Sequence, residues 1–211
     1  MRHHTRGERL ITLLDTSHDL ATCADEIGGD VGQLLTPLTR YRLREPERPW
    51  AIDNGAYSRF DEKAFVALLA REYHHRQNAK FVCAPDVVGS AQRTLEVFDI
   101  WKGRLQAWPI AFVCQDGQEN LPIPWRSIEA VFIGGSTTWK LSEHAKRICQ
   151  VAKLHFNKWV HVGRVNDPAR FAGLEGWGCV DSVDGSGLAR YSHMREAVAN
   201  RNEQERLFEH V

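Results

Sequence analysis

Five stretches concentrate the side chains that could do chemistry: AIDNGAYSRF (51–60), FVCAPDVVGS (81–90), AFVCQDG (111–117), FIGGSTTW (132–139) and GWGCVDSVDGSG (176–187). In the first, Asp53 closes an apolar run and is followed by Asn-Gly and the aromatic Tyr57, which sets a carboxylate beside backbone that a ligand can approach closely. Asp86 follows Pro85 at the end of a second apolar run. Gln115 offers a donor and an acceptor from one amide, a pairing suited to the edge of a purine. Gly134 and Gly135 let main-chain groups touch a flat ligand. Asp181 and Asp184 stand three apart, so on an extended strand they point to opposite faces. The apolar surroundings of Asp181 favour it as the inward one, whereas DGSG around Asp184 reads as a turn. Carboxylates from separate segments that converge on one cleft repel each other. Stability does not ask for that; a binding site does.

These residues need a frame. Apolar runs of strand length recur at 10–15, 50–55, 81–86, 110–117, 130–135, 159–163 and 179–183, most of them ending on Asp or Gly. Helical spacing fills the intervals. Asp61 caps a segment carrying Phe65, Leu68 and Leu69, Ser90 caps one carrying Ala91, Leu95 and Phe98, and Leu141, Ala145, Ile148 and Ala152 form a third face. Asp167-Pro168 reads as an N-cap followed by proline in the first turn. Alternating strands and helices predict a mostly parallel sheet. No GxGxxG or Walker A loop follows a strand, and polar residues gather at many successive strand ends. That favours a TIM-like (β/α) barrel, with its site on the carboxyl-terminal face, over an open sheet. It is a reduced barrel of about seven to eight parallel strands in a single domain over 1–211, since seven strands can be read and an eighth would come from a region read as helix. The intervals before Gly134 and before Asp181 leave room for little more than a turn of helix. The terminal ANRNEQERLFEHV reads as a charged helix that packs through Leu207 and Phe208.

Composition narrows the function classes. Of the 211 residues, 27 are basic and 27 acidic, which argues against a strongly basic nucleic-acid binder. A hydrophobic share of 43% with seven Trp excludes wholesale disorder. No apolar run approaches the ~18 residues of a membrane helix, and MRHHTRGERL lacks an apolar signal core, so a cytoplasmic protein is expected, in the host cytoplasm if phage-encoded. His3 and His4 read equally as native residues or as a cloning remnant. The five Cys form no CxxC and read as small core residues. The ten His form no HxH or HExxH pair, so neither a metal nor a cofactor is expected. Arg outnumbers Lys by 20 to 7, which fits either a GC-rich coding sequence or phosphate contacts. Arg40, Arg42, Arg44 and Arg48 precede the Asp53 strand, away from the catalytic face unless that segment folds up along the barrel.

The order IDNGAY, APD, a strand ending in Gln, GG, HVG and VDSV resembles the tRNA-guanine transglycosylases, and is most similar to their short phage and bacterial DpdA-like relatives that modify DNA. The resemblance covers roughly residues 50–187. It implies a barrel that exchanges guanine in DNA for a 7-deazaguanine such as 7-cyano-7-deazaguanine. It also implies roles: Asp181 as the nucleophile that traps the sugar covalently, with Asp184 the alternative, and Asp53 as proton donor and acceptor. Asp86 and Gln115 would read the guanine edge, Gly134 and Gly135 its carbonyl, and Tyr57, Phe60 or Trp139 could stack on it. The target nucleotide would be flipped out or single-stranded. The zinc site and the tRNA-gripping insertions of the tRNA enzymes have no counterpart here, which favours DNA, a smaller substrate, or a partner subunit or second copy that supplies the grip. Competing readings are a nucleoside deoxyribosyltransferase or N-glycosidase, and a catalytically silent nucleobase-binding barrel.

Overall fold

The computed structural model describes residues 10–208, with side chains through Arg201. His3, His4 and the side chains of Leu207 and Phe208 lie outside the described residues. Eight parallel strands pair in sequence order, and the last pairs with the first to close a barrel. The strands are β1 (Ile11–Leu14), β2 (Val31–Leu35), β3 (Trp50–Ile52), β4 (Ala79–Cys83), β5 (Ile110–Cys114), β6 (Ala130–Ile133), β7 (Trp159–Val162) and β8 (Ser182–Asp184). The helices are α1 (Leu20–Ile27), α2 (Glu62–Glu72), α3 (Ala91–Trp101), α4 (Thr137–Lys140), α5 (Glu143–Phe156), α6 (Pro168–Glu175), α7 (Ser186–Arg190) and α8 (Ser192–Phe208). Asp61, Ser90, Ser142 and Asp167 each accept a main-chain N–H in the first turn of the helix that follows, so local capping sets where α2, α3, α5 and α6 begin.

Side chains on each strand alternate between lumen and outer layer. Leu13, Leu34, Ala51, Phe81, Cys83, Ala111, Val113, Ala130 and Phe132 fill the lumen. Leu14, Leu35, Ile52, Val82, Phe112, Val131, Val162 and Val183 face the helices in the larger outer core. All five Cys are buried with free thiols. Among the described residues no helix is long and apolar enough to cross a membrane.

The eighth strand is β2, in the region read from sequence as helix. Its VGQLL is broken by two residues that the tertiary structure demands. A Cβ on Gly32 would sit 2.0 Å from the Pro49 carbonyl oxygen, so only glycine lets the returning chain pass. Gln33 donates to the Arg42 carbonyl (2.8 Å) and accepts from the Arg44 amide (3.0 Å). Between β2 and β3 there is no helix; residues 36–49 descend the outside of β2 as irregular chain pinned by that amide. The arginine-rich segment therefore starts at the mouth, where Thr36, Thr39 and Tyr41 line a cavity, and only its later part runs to the far end.

Candidate active site

Asp53 follows β3 directly, and its carboxylate accepts the Gly55 amide at 2.9 Å. Next to it, Asn54 is buried and donates to the Ala84 carbonyl (2.7 Å) and to Asp86 Oδ1 (2.8 Å). Gln115 Nε2 donates to Asp86 Oδ2 at 2.7 Å, while its Oε1 accepts from Gly89 (3.0 Å) and Gly135 (3.2 Å). Asp86 is thus gripped by two amides, each tied to a further strand end. Gln115 is buried and spends its amide on protein partners, so it holds Asp86 rather than facing a ligand broadly. Asn54, visible in the sequence only as turn chemistry, is its counterpart. Asp116 clamps the neighbouring loop by accepting the Ser136 amide and hydroxyl, each at 2.6 Å. Gly135 has φ +65°, and a Cβ there would lie 2.4 Å from Asp116 Oδ1.

The two carboxylates of the last strand require a correction. Asp181 precedes β8 at the amino-terminal end of the barrel, where it accepts the Val160 amide (2.7 Å) and pairs with Lys153 of α5. Asp184, at the carboxyl end of β8, lines the mouth cavity. The reason is phase. Ser182 and Asp184 share the lumen side, whereas Asp181 and Val183 belong to the outer side. Both faces of a barrel strand are apolar over most of its length, so apolar neighbours do not mark a residue as inward. Alternation and position along the strand do, and Asp181 falls out of phase with the lumen at the strand's amino-terminal start.

Asp184 Oδ1 accepts the Arg164 main-chain amide. Its Oδ2 lies 3.6 Å from Nε2 of His161, a fully buried residue between the Phe81 and Phe132 rings. His161 Nδ1 meets Ser182 Oγ at 2.8 Å, and Ser182 Oγ accepts the Trp159 indole N–H at 2.8 Å. An indole only donates, so the Ser182 proton is available to Nδ1, an arrangement that puts the ring N–H on Nε2, toward Asp184. His161 and Arg164 both lie in HVGRV, noted in the sequence only for its order among the motifs.

Arg164 bridges the mouth. Its guanidinium donates to the Gly135 carbonyl and lies 4.0 Å over the Tyr57 ring. Of the three aromatic candidates, Tyr57 alone stands at the mouth, 66% exposed. Phe60 packs on Phe65 and Trp101, and Trp139 is buried with its indole N–H on Glu119. On the other flank, Asp15 accepts from Thr39 (2.6 Å) and Thr36 (3.4 Å).

Burial sets the electrostatics. Loss of solvent, then the Asp184 charge, pushes the Asp53 carboxyl up to about 7 against the Gly55 hydrogen bond. Burial also raises Asp86, opposed by its bonds to Asn54 and Gln115 and by Arg164. Asp15 is raised by burial against its two threonines. Burial lowers Lys140 to about 8, and its ammonium donates to the Gly163 carbonyl at 2.5 Å. Two spaces open here and share Asp53, Tyr57 and Arg164 in their walls. One, of about 300 Å³, reaches from Asp53 and Asp184 past Asp15 to His18 and Arg190. The other, of about 40 Å³, is a slot beside Asp86, Gln115, Gly134 and Gly135, with room for only a few waters. Among the described residues no three or more His, Cys, Asp or Glu form a group that could hold a metal ion.

No protein-family model matches the chain, and no curated protein matches it in sequence. Solved structures do. The tryptophan synthase A-subunit of the hyperthermophile Pyrococcus furiosus superposes with a TM-score of 0.52 at 17% identity, over 93% of this chain and 96% of that one. A mutant of the same subunit gives 0.52 at 16% identity over 94% and 96%. CdNal from Clostridium difficile, in complex with mannosamine, gives 0.52 at 12% identity over 97% of this chain and 79% of that one. The chain is a TIM-like α/β barrel. At these identities the likeness carries the fold alone.

Proposed function

We propose that the barrel is a glycosyl-transfer enzyme that exchanges guanine in DNA for a 7-deazaguanine base, with Asp184 in place of Asp181 as nucleophile. The observation that carries it is the pairing at the mouth of Asp53, raised to about 7, with Asp184, which receives an amide and faces an imidazole. Two carboxyls whose surroundings differ in this way divide into a proton carrier and a nucleophile. Asp184 attacks the anomeric carbon, the bond from that carbon to the base nitrogen breaks, and Asp53 protonates the departing guanine. The incoming base then returns its ring N–H proton to Asp53, and its nitrogen displaces Asp184 from the sugar. Two displacements retain the sugar's configuration. Asp86, held by Asn54 and Gln115, is aimed at the slot, where a carboxylate can accept side by side from the N1–H and 2-amino group of guanine. The larger space takes the sugar. The resemblance in the order of the motifs supports the reading through Asp53, Asp86 and the Gly134–Gly135 pair, but not through VDSV, whose Asp181 lies at the other end of the barrel. The structural neighbours add no support.

Incubation with labelled guanine and DNA tests this: label should enter the DNA, and 7-cyano-7-deazaguanine should compete. Base release without incorporation would instead identify a nucleoside deoxyribosyltransferase or N-glycosidase. The cavity of about 300 Å³ favours that second reading, because it suits one nucleoside and sits at the lower end of small-ligand pockets.

A further inference from the structure

Arg164 stands, with Asp53 and Tyr57, in the wall that the two spaces at the mouth share, and three features fix its place. Its backbone is left-handed, with φ +61°. Its main-chain amide is spent on Asp184. Its guanidinium lies flat on Tyr57 at 4.0 Å and donates an N–H to the Gly135 carbonyl. A left-handed arginine is uncommon and costs free energy, so surrounding contacts must hold it there. The group it presents is a planar N–C–N unit with N–H donors along one edge. The N1–C2–N2 edge of guanine is the same unit, with a flat face for an aromatic ring and N–H donors for a carbonyl or carboxylate. The slot beside Asp86, about 40 Å³, is too small for a purine while that guanidinium stays on Tyr57.

We infer that the Arg164 guanidinium takes the seat on Tyr57 and Gly135 that the base must occupy, so that Arg164 sets specificity by yielding only to a flat ligand with an amidine-like donor edge. The inference rests on the base-handling reading above. When the side chain leaves Gly135, the slot and the larger cavity join into one cleft running from Asp86 to Asp15, because Arg164 is part of the wall of both. The main chain stays anchored on Asp184, so the guanidinium moves without disturbing that carboxylate. Adenine has the flat face and one amino donor but an acceptor, N1, where guanine has a ring N–H, so it would restore the ring contact and only part of the donor edge.

Titration calorimetry with 7-cyano-7-deazaguanine tests this on the intact wild-type chain, Arg164→Gly and Arg164→Lys. Glycine suits the left-handed backbone and keeps the amide to Asp184, and lysine keeps the charge near Asp86 without the planar fork. The base should bind at least one variant about tenfold tighter than wild type, the effect of no longer displacing one charged contact. Millimolar methylguanidinium should displace the base from Arg164→Gly and leave binding to wild type unchanged. Weaker binding in both variants would make Arg164 a direct base contact and overturn the inference. Equal affinity in all three proteins, or no competition by methylguanidinium, would overturn it while leaving the base reading intact. No binding to any of the three would remove the base reading, and this inference with it.

Discussion

At the scale of single residues, Asp181 and Asp184 make opposite predictions. Asp184→Asn should abolish exchange and any covalent sugar adduct detectable by mass spectrometry, with base binding retained. Asp181→Ala should leave exchange intact in the folded protein. Its cost should be stability, on the order of 1–3 kcal/mol in chemical denaturation, because it strands Lys153 and the Val160 amide. If the two outcomes are reversed, the nucleophile is Asp181 and the mouth assignment fails. His161 offers a separate check. With the donor-only Trp159 indole on Ser182, the serine proton is available to Nδ1, so nitrogen NMR should find the ring proton on Nε2 and Nδ1 accepting. A proton on Nδ1 would break the chain from Trp159 to Asp184.

At the scale of elements, β2 and the chain that follows it depart from the strand–helix alternation of the rest of the barrel. Residues 36–49 replace a helix, and the Gln33 amide satisfies two of their main-chain groups. Gln33→Leu keeps the bulk but leaves the Arg42 carbonyl and the Arg44 amide without this partner. A loss of about 1–3 kcal/mol is expected by urea denaturation, together with weaker ligand binding, since Thr36 and Thr39 hold Asp15 from the same segment. Gly32→Ala should be worse than Gln33→Leu. Its Cβ meets rigid backbone at 2.0 Å and not a movable side chain, so the expected outcome is loss of folded protein. A stable Gly32→Ala barrel would mean that the 36–49 chain packs differently.

At the scale of the molecule, the mouth gathers acidic groups that the fold does not need. Asp53 is raised from 3.8 to about 7, and Asp15 and Asp86 are raised as well. A carboxyl with a raised folded-state pKa binds its proton more tightly in the native state than in the unfolded chain. Its contribution is full below the unfolded value of 3.8 and is lost as pH rises through about 7. Stability should therefore fall between about pH 4 and pH 8, and Asp53→Asn should flatten much of that fall. The variant should exceed wild type at about pH 8 by on the order of 1–3 kcal/mol, while losing exchange activity. A wild-type stability that rises over the same interval would contradict the burial of Asp53.

The alternation of strands and helices, seven of the eight strands, and the caps at Asp61, Ser90 and Asp167 are legible along the chain, because apolar period and capping chemistry are local. The same locality made Asp53, Asp86, Gln115 and the Gly134–Gly135 pair legible as strand-end residues, and the closed barrel brings them to one mouth. The remainder follows from contacts between segments far apart in the chain. β2 was hidden because Gly32 and Gln33 answer to Pro49, Arg42 and Arg44, partners that adjacency in sequence does not reveal. Asp184 rather than Asp181 reaches the mouth because both sides of a barrel strand are apolar, so a single run says neither which side is the lumen nor where the strand begins. His161 and Arg164 carry no local signal because each matters through what faces it. An imidazole in an apolar strand reads as core until Asp184 stands 3.6 Å away, and an arginine after a strand reads as surface until it lies on Tyr57. Side-chain identity is local; which carboxylate, ring or carbonyl it meets depends on how the barrel closes.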